Sequence, residues 1–347
     1  MRKVVALTLA LLLLCLSAGC SKNESPSEAS KTESTDVQNP FQQNGENPMN
    51  MGSISHGPRN PDVDKNEKLR PIVYDGKEIQ YDYYVKASGQ AKNVGFLMYV
   101  NGIPQPYKTD QSNTDYKYMH IFNLENDDTE FPFSFRFSPV TGKKGEDLKV
   151  VILSIYNPSF EPDMDKTSSY GGYHAILPAT YSLHLEVDAK PLDTAGNDVY
   201  GVATFSNEPV TSQLFDTLNN NGMRDIDMDI FNKEVFNLLY FDGELKTDNL
   251  RVNSSEKLRV QYMICGHADI EYETTFYINH QPIESSKGIS HHTKISKGSI
   301  SIITFEIETE KLKDFNTFYI VSTPKNASDY PDGIFESIKT QSILLYK

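Results

Sequence analysis

The chain has 347 residues, of which 38% are hydrophobic, 23% charged and 11% aromatic. This composition excludes a wholly disordered protein, because it offers enough apolar surface for a folded core. Lysine and arginine total 33 against 47 aspartates and glutamates, and the net charge of −14 argues against a nucleic-acid partner. At this length, two folded domains are expected.

The first twenty residues have the form of a secretory signal. Two basic residues precede an apolar run from Val4 to Leu16, which is too short to cross a bilayer comfortably. The run ends in the string LSAGC, which resembles the lipobox of bacterial lipoproteins. The resemblance implies removal of residues 1–19 as a signal peptide and attachment of a palmitate-type diacylglyceryl group to Cys20. The alternative is an ordinary signal peptide in which this cysteine occurs by chance.

Two acyl chains hold a protein stably on a membrane. The resemblance therefore implies a lipid-anchored protein on the extracytoplasmic face of the cell membrane. Between Cys20 and position 67 the chain is rich in Ser, Asn, Glu, Lys and Pro, and Phe41 is its one aromatic residue. Such a segment cannot offset its ordering entropy by burial. We expect residues 20–67 to form a disordered tether.

From position 69 onward, short runs rich in Tyr, Phe, Val and Ile alternate with Gly, Pro, Asn and Asp, which is typical of strands and turns. FSFRFS and ISIITFEIE alternate apolar and polar residues, the pattern of strands with one wet face. Helical periodicity is scarce, and its best candidate, DIFNKEVFNLLYF, is in part compatible with a strand. The body is predicted to be all-β.

The body also resembles itself, with segments that match in the same order. The matches include Tyr74-Asp75-Gly76 with Phe241-Asp242-Gly243, Gly89 with Gly266, Asn101 with Asn279, and Pro158 with Pro324. They predict two tandem antiparallel β-sandwich modules at 68–190 and 228–347, joined by a connection at 191–227 in which VYGVATFSN adds an edge strand. In architecture these modules resemble Ig-like or fibronectin-like sandwiches, although the chain has no Trp and no cysteine pair in its body.

One polar segment has part of the spacing of an EF-hand loop. Asn219, Asn221 and Asp225 fall at its third, fifth and ninth positions, but its first and twelfth positions hold Thr217 and Met228 instead of carboxylates. Without these charges a polar turn with no cofactor is favoured. Calcium bound by the first three residues is the alternative.

The sequence contains neither a Gly-x-Ser-x-Gly nucleophile turn nor a phosphate-binding glycine loop. Cys265 lies in the apolar run VQYMICG, where we expect a buried hydrophobe and not a reactive thiol. We therefore expect a protein that is not an enzyme.

Tyrosines are the candidate ligand contacts, because they cluster in predicted loops of the first module. Tyr170 and Tyr173 flank a Gly pair in the long segment 156–174, and Tyr107 ends the IPQPY turn. Loops on a rigid sandwich commonly carry recognition. The alternative is that these rings line strand faces and loop cores.

Two functions follow from these patterns. The first is a non-catalytic cell-surface lipoprotein that presents its tandem sandwiches to a protein partner, for example as an accessory subunit of a membrane complex. The alternative is a lipoprotein that binds a glycan or another cell-wall polymer through the tyrosine-bearing loops. The lipid is the expected membrane anchor, and no membrane-spanning segment is expected.

Overall fold

The structure is a computed structural model that describes residues 52–111, 115–124, 128–167, 169–191, 199–221, 225–253, 256–330 and 335–347. The predicted signal peptide, the lipidation site Cys20 and the tether as far as residue 51 lie outside the described residues. Within the described part, four sheets form two antiparallel β-sandwiches in tandem, so the predicted fold class is confirmed.

The first sandwich has one sheet in the order β1-β3-β8-β6 and a second in the order β2-β10-β9-β4-β5, with β7 paired to β4. Adjacent strands run antiparallel except β2 and β10, which are parallel. The strands are β1 (Ser53–Pro58), β2 (Ile72–Tyr74), β3 (Ile79–Ser88), β4 (Asn93–Val100), β5 (Ile103–Pro104), β6 (Lys108–Thr109), β7 (Met119–Asn123), β8 (Phe131–Phe137), β9 (Asp147–Tyr156) and β10 (Ile176–Leu185).

The second sandwich has sheets in the orders β13-β12-β15-β20-β11-β18 and β14-β23-β21-β16-β17, with β19 paired to β16 and β22 to β21. Its elements are β11 (Val199–Pro209), α1 (Ser212–Asn221), α2 (Met228–Phe231), β12 (Val235–Phe241), β13 (Glu244–Leu245), β14 (Asn249–Arg251), β15 (Lys257–Gly266), β16 (Glu271–Ile278), β17 (Gln281–Pro282), β18 (Glu284–Ser285), β19 (His291–Lys294), β20 (Ser299–Glu308), β21 (Phe315–Pro324), β22 (Ile338–Lys339) and β23 (Ile343–Tyr346).

The two sandwiches repeat one arrangement of strands. In each, a short strand pairs in parallel with the last strand of the sandwich, β2 with β10 and β14 with β23. Tyr99 on β4 pairs with Val151 on β9, and Tyr277 on β16 pairs with Tyr319 on β21. With Asn101 matched to Asn279, Tyr99 matches Tyr277, and Val151 therefore matches Tyr319.

This register corrects two of the predicted matches. Pro324 lies opposite Tyr272, as Tyr156 lies opposite Val94, so Pro324 matches Tyr156 and not Pro158. A slip of two residues keeps every side chain on its face of the sheet, which is why the pattern hid it. The turns after Tyr74 and Phe241 do not correspond either, because they follow β2 and β12, and β12 is the counterpart of β1.

The first sandwich begins earlier than predicted. Residues 53–58 were expected to belong to the tether, but they pair along their whole length with residues 83–88 of β3. His56 Nδ1 lies 2.7 Å from the hydroxyl of Tyr83. The segment SISHGP is poor in apolar residues because an outer strand obtains its stability from backbone hydrogen bonds, and composition alone therefore misassigned it.

The segment between the sandwiches belongs to the second one. β11 pairs with β20 from Gly201 to Pro209, so the strand predicted in VYGVATFSN is present. The helix α1 follows it, with Leu214 and Leu218 buried one turn apart. The helical candidate at 229–241 divides into the short α2 and the strand β12.

Four apolar clusters show how the layers stack. Two clusters fill the interiors of the sandwiches, and a third lies beneath α1 and α2 on the outer face of β12, β15 and β20. The remaining cluster joins β4, β7 and β9 of the first sandwich to β16 and β21 of the second. The inner sheets of the two sandwiches therefore pack on each other, and both faces of each inner sheet are covered.

Candidate functional site

The junction between the inner sheets is held by a pair of equivalent tyrosines. The hydroxyl of Tyr277 donates to the hydroxyl of Tyr99 over 2.8 Å, and both side chains are 1% exposed. The ring of Tyr277 stacks on Tyr319 at 5.0 Å with an interplanar angle of 12°. Burial raises the pKa of Tyr99 and of Tyr277 well above the ordinary tyrosine value, so neither hydroxyl ionises in the folded protein.

A glycine turn of the first sandwich fits closely against the second. Gly102 has φ +82°, and a Cβ at this position would lie 2.7 Å from Cβ of Glu273 on β16. Any side chain here would push the sandwiches apart as well as strain the backbone. Glu273 is itself buried, and Lys325 donates to its carboxylate over 3.2 Å.

At one end of the junction the apolar contact gives way to a polar cluster. Nδ1 of His174 on the first sandwich lies 2.9 Å from Oγ of Ser342 on the second, and Nε2 lies 3.1 Å from the carbonyl of Phe160. Lys339 donates through Nζ to Oγ of Ser342 and to the carbonyl of Thr340, each over 3.0 Å. Loops of both sandwiches are therefore needed to form this cluster.

The serine–histidine pair has the contacts of a nucleophile with its base, but its electrostatics oppose that role. Burial, with Lys339 adding positive charge nearby, lowers the pKa of His174 to about 2. A general base is effective when its pKa lies near the working pH. His174 is therefore too weak a base to increase the nucleophilicity of Ser342 appreciably. The pair is suited to fixing the two loops together.

Next to this cluster lies a cleft of about 250 Å³ between the sandwiches. Residues 169–176 form one wall, and Thr247, Asp248 and residues 339–342 form the other. Lys339 is partly buried at its edge, with Nζ 4.6 Å from the ring centroid of Tyr319. Burial lowers the pKa of Lys339 to about 7. This is the site where loops, a hollow and perturbed titratable groups coincide.

The structure separates the three predicted tyrosine contacts. Tyr107 is fully buried and donates its hydroxyl to the carbonyl of Phe96 over 2.7 Å, so its prediction as a ligand contact is corrected. The hydroxyl of Tyr170 lies 2.7 Å from Oγ1 of Thr317 on β21, and the ring is 3% exposed. Tyr170 therefore links the two sandwiches, and its ring is not accessible to a ligand.

Tyr173 is the predicted contact with the most accessible ring. It is half-buried, lines the cleft and stacks on Tyr156 at 5.6 Å. Its hydroxyl donates to Oε1 of Gln90 over 3.2 Å. The segment 156–174 therefore reaches the cleft, as its tyrosines suggested, but most of it is committed to the junction.

The predicted calcium ligands do not lie in an open loop. Asn219 and Asn221 belong to the helix α1, and Oδ1 of Asn219 accepts the backbone N–H of Ile226 over 2.7 Å. Asp225 follows the helix and is exposed. A helical backbone through the first half of the segment replaces the turn on which EF-hand geometry depends, so the calcium interpretation is corrected. Among the described residues no group of three or more His, Cys, Asp and Glu is placed to hold a metal ion.

Cys265 lies under the two helices and is 1% exposed. Burial raises the pKa of its thiol to about 12. A thiol that stays protonated and covered is a weak nucleophile.

Outside the cleft, the surface feature that sequence reasoning passed over is β11. Val199, Val202 and Phe205 on this strand are 43%, 46% and 47% exposed. β18 pairs with β11 only at Val199 and Gly201, so from Ala203 to Pro209 the described residues pair with β11 on one side alone. β11 thus presents both apolar side chains and an open sheet edge. None of the helices within the described ranges has the length and apolarity needed to span a bilayer.

No protein-family model matches the chain, and no curated protein matches it. Among solved structures, a chimeric titin Z1Z2 tandem is 12% identical over 80% of this chain and 93% of its own, with a TM-score of 0.18. The Ig1-2 module of Drosophila receptor protein tyrosine phosphatase DLAR is 11% identical over 85% of this chain and 97% of its own, with a TM-score of 0.19. A membrane-anchored protein from Corynebacterium diphtheriae is 9% identical over 85% of this chain and 59% of its own, also with a TM-score of 0.19. Likeness at this level carries no argument about function.

Proposed function

We propose that this chain is a non-catalytic lipoprotein of the extracytoplasmic face of the cell membrane that presents its two joined sandwiches to a protein partner, such as a membrane complex of the same cell. The lipobox-like string that ends at Cys20 supports the anchor. The observation that carries the protein partner is the exposed apolar edge of β11.

An open strand edge with apolar side chains is suited to protein recognition. Its free N–H and C=O groups can pair with an extended segment of another protein, while neighbouring side chains give specificity. Val202 and Phe205 are each close to half-exposed on this strand. A glycan, which is mostly polar, gains less from such a surface than a protein segment does.

The polar cluster at the junction supports a non-catalytic role. His174 and Ser342 are the described residues with the contacts of a catalytic pair, and the pKa of about 2 leaves His174 a very weak base. The buried tyrosine contacts at the junction pack the sandwiches against each other. Packing of this kind favours a preformed surface, which lowers the entropy lost on binding.

Crosslinking and affinity purification of the lipidated protein from native membranes test this proposal. We expect one membrane protein to be recovered in stoichiometric amount with the wild-type chain. Val202→Lys places a charge on the outer face of β11, where lysine blocks strand pairing, and we expect it to remove that partner. Val73→Lys is the matched control, because Val73 on β2 is 50% exposed on the other sandwich, and it should retain the partner.

Other outcomes separate the alternatives. Equal recovery with Val202→Lys and wild type would show that β11 is not the docking edge. If no protein is recovered and the chain instead binds isolated cell envelope, the glycan function is supported. Tyr173→Ala is then the informative variant, because Tyr170→Ala would also weaken the junction. A soluble fragment for these assays must include Ser53, since β1 is part of the first sandwich.

A further inference from the structure

We propose that the cleft beside Lys339 binds a small anion, with a carboxylate or phosphate group accepted by the ammonium of Lys339. This site is independent of the β11 edge and goes beyond the proposed function. The walls also supply neutral donors, since Thr247 and Gln341 line the same cleft and are exposed.

The ammonium of Lys339 has spare bonding capacity. Nζ donates to the carbonyl of Thr340 and to Oγ of Ser342, which uses two of its three N–H groups. The ring of Tyr319 lies beneath the charge. No described carboxylate forms an ion pair with Lys339, although the chain carries 47 acidic residues against 33 basic ones.

Lys325, directly after β21, is a second partly buried lysine, and it has a carboxylate partner. Nζ of Lys325 lies 3.2 Å from Oε1 of Glu273, which is buried. A charge withdrawn from water is costly unless it is paired, and Lys325 follows this rule. No described carboxylate pairs with Lys339 as Glu273 pairs with Lys325, and the adjacent cleft leaves room for an anion in its place.

The cleft limits what the ligand can be. Its volume of about 250 Å³ is below the roughly 300–1,000 Å³ typical of sites for drug-sized ligands. A single small anion fits this volume better than a polymer does. Asp248 lines the exposed part of the cleft, and its carboxylate disfavours ligands with a second negative group on that side.

The site should respond to pH. Lys339 faces His174, His280, the ring of Tyr319 and, across the cleft, Asp248; burial keeps both histidines neutral, with a pKa of about 2 for His174 and about 4 for His280. Burial lowers the pKa of Lys339 to about 7. Only the ammonium form attracts an anion, so affinity should fall as pH rises above 7.

Calorimetric titration of the mature lipidated chain in detergent, with inorganic phosphate and with acetate as probes, tests the site. We expect saturable binding of at least one probe at pH 6 and binding about tenfold or more weaker at pH 8.5. Lys339→Met should abolish binding. Lys297→Met removes an exposed lysine from the turn before β20 and should leave binding unchanged. No saturable binding at pH 6, or equal binding by Lys339→Met, would overturn the proposal.

Two further measurements keep the result clear. We expect Lys339→Met to melt no lower than wild type, because it removes a poorly solvated charge. If this variant instead fails to fold, NMR of the reductively ¹³C-methylated wild-type chain decides: phosphate must shift one lysine signal that titrates near pH 7, and an unmoved signal refutes the site. If glycerol phosphate competes with the probe and polyphosphate does not, the ligand is a free anion. If both compete, the site accepts the phosphate groups of a polymer.

Discussion

The two sandwiches share a core arrangement of strands but place an equivalent histidine in different surroundings. His120 on β7 lies opposite Phe96, and His291 on β19 lies opposite Thr274, which is the equivalent position of the second sandwich. Nε2 of His120 lies 2.8 Å from the carbonyl of Tyr107. Neither ring nitrogen of His291 has a hydrogen-bond partner among the described residues, and the ring is 2% exposed.

The strand β11 accounts for the difference. The counterpart of Tyr107 is Ser285 on β18, and β18 pairs with β11, which has no counterpart among the described residues of the first sandwich. β11 also brings the ring of Phe205 to 5.7 Å from His291. The added strand thus gives His291 an apolar environment. A buried imidazole without a hydrogen-bond partner reduces the stability of the fold.

The same added strand makes the edges of the two outer sheets different. In the second sandwich β11 covers β20. In the first, β6 pairs with β8 only at Arg136 and Phe135. Beyond β6, Oδ1 of Asp110 accepts the N–H of Ser134 over 2.9 Å, and Pro132, two residues earlier and on the same side, has no N–H. The edge of β20 is thus closed by a long strand, and the edge of β8 by a short strand, a cap and a proline.

The largest expected effect comes from removing the contact between the equivalent tyrosines Tyr99 and Tyr277. Tyr277→Ala deletes a fully buried ring at the junction and leaves the Tyr99 hydroxyl without its partner, so we expect a loss of about 3–5 kcal/mol in the free energy of unfolding. Scanning calorimetry should show one transition for wild type and two for the variant, because the sandwiches no longer unfold together.

Tyr277→Phe is the matched control for this prediction. It keeps the ring and removes the hydroxyl, so it should cost about 1–3 kcal/mol and retain a single transition. If Tyr277→Ala melts like wild type, the junction does not couple the two sandwiches.

The histidine comparison predicts a pH effect on stability from His291 of the second sandwich. Burial lowers the pKa of His291 to about 4, from 6.5 in the unfolded chain. Between these values the unfolded state binds more protons, so acid destabilises the fold, by up to about 3 kcal/mol from this residue. His291→Phe should remove that share of the acid loss when unfolding by denaturant is measured from pH 7 to pH 4.

His120→Phe provides the contrast at the equivalent position. It removes the hydrogen bond to the Tyr107 carbonyl, so we expect about 1 kcal/mol of destabilisation at pH 7, where His291→Phe should cost nothing. Equal behaviour of the two variants at pH 7 would show that the environments do not differ as described.

The sequence predicted the strands and their duplication because alternation and turn residues are local signals. It also contains a signal for the junction between the sandwiches. The runs GFLMYV and LKVVILSIY are apolar without alternation, and on β4, β9, β16 and β21 burial is nearly continuous. Such runs mark strands covered on both faces, and they indicated that the inner sheets are packed on each other.

The candidate site was not predictable in the same way. His174 and Ser342 are 168 residues apart, and no spacing in the chain relates them. Lys339 lies on a strand of two residues, where no periodicity exists. The tyrosine-rich segment 156–174 did mark one wall of the cleft, but the commitment of Tyr170 to Thr317 depends on how the two sandwiches meet.

The smallest effect concerns the protected edge of the first sandwich. Asp110→Ala leaves the N–H of Ser134 to water at the edge of β8, and we expect a loss of about 1 kcal/mol in the free energy of unfolding. Asp110→Asn keeps a carbonyl oxygen at the same position and should lose less than the alanine variant. Denaturant unfolding of the three proteins measures this order. If both variants match wild type, the cap at Asp110 contributes no stability, and Pro132 is left as the feature that blocks pairing beyond the two residues of β6. A proline within the exposed edge of β11 should then block pairing in the same way, and an Asn207→Pro variant tests this by losing the partner recovered with wild type.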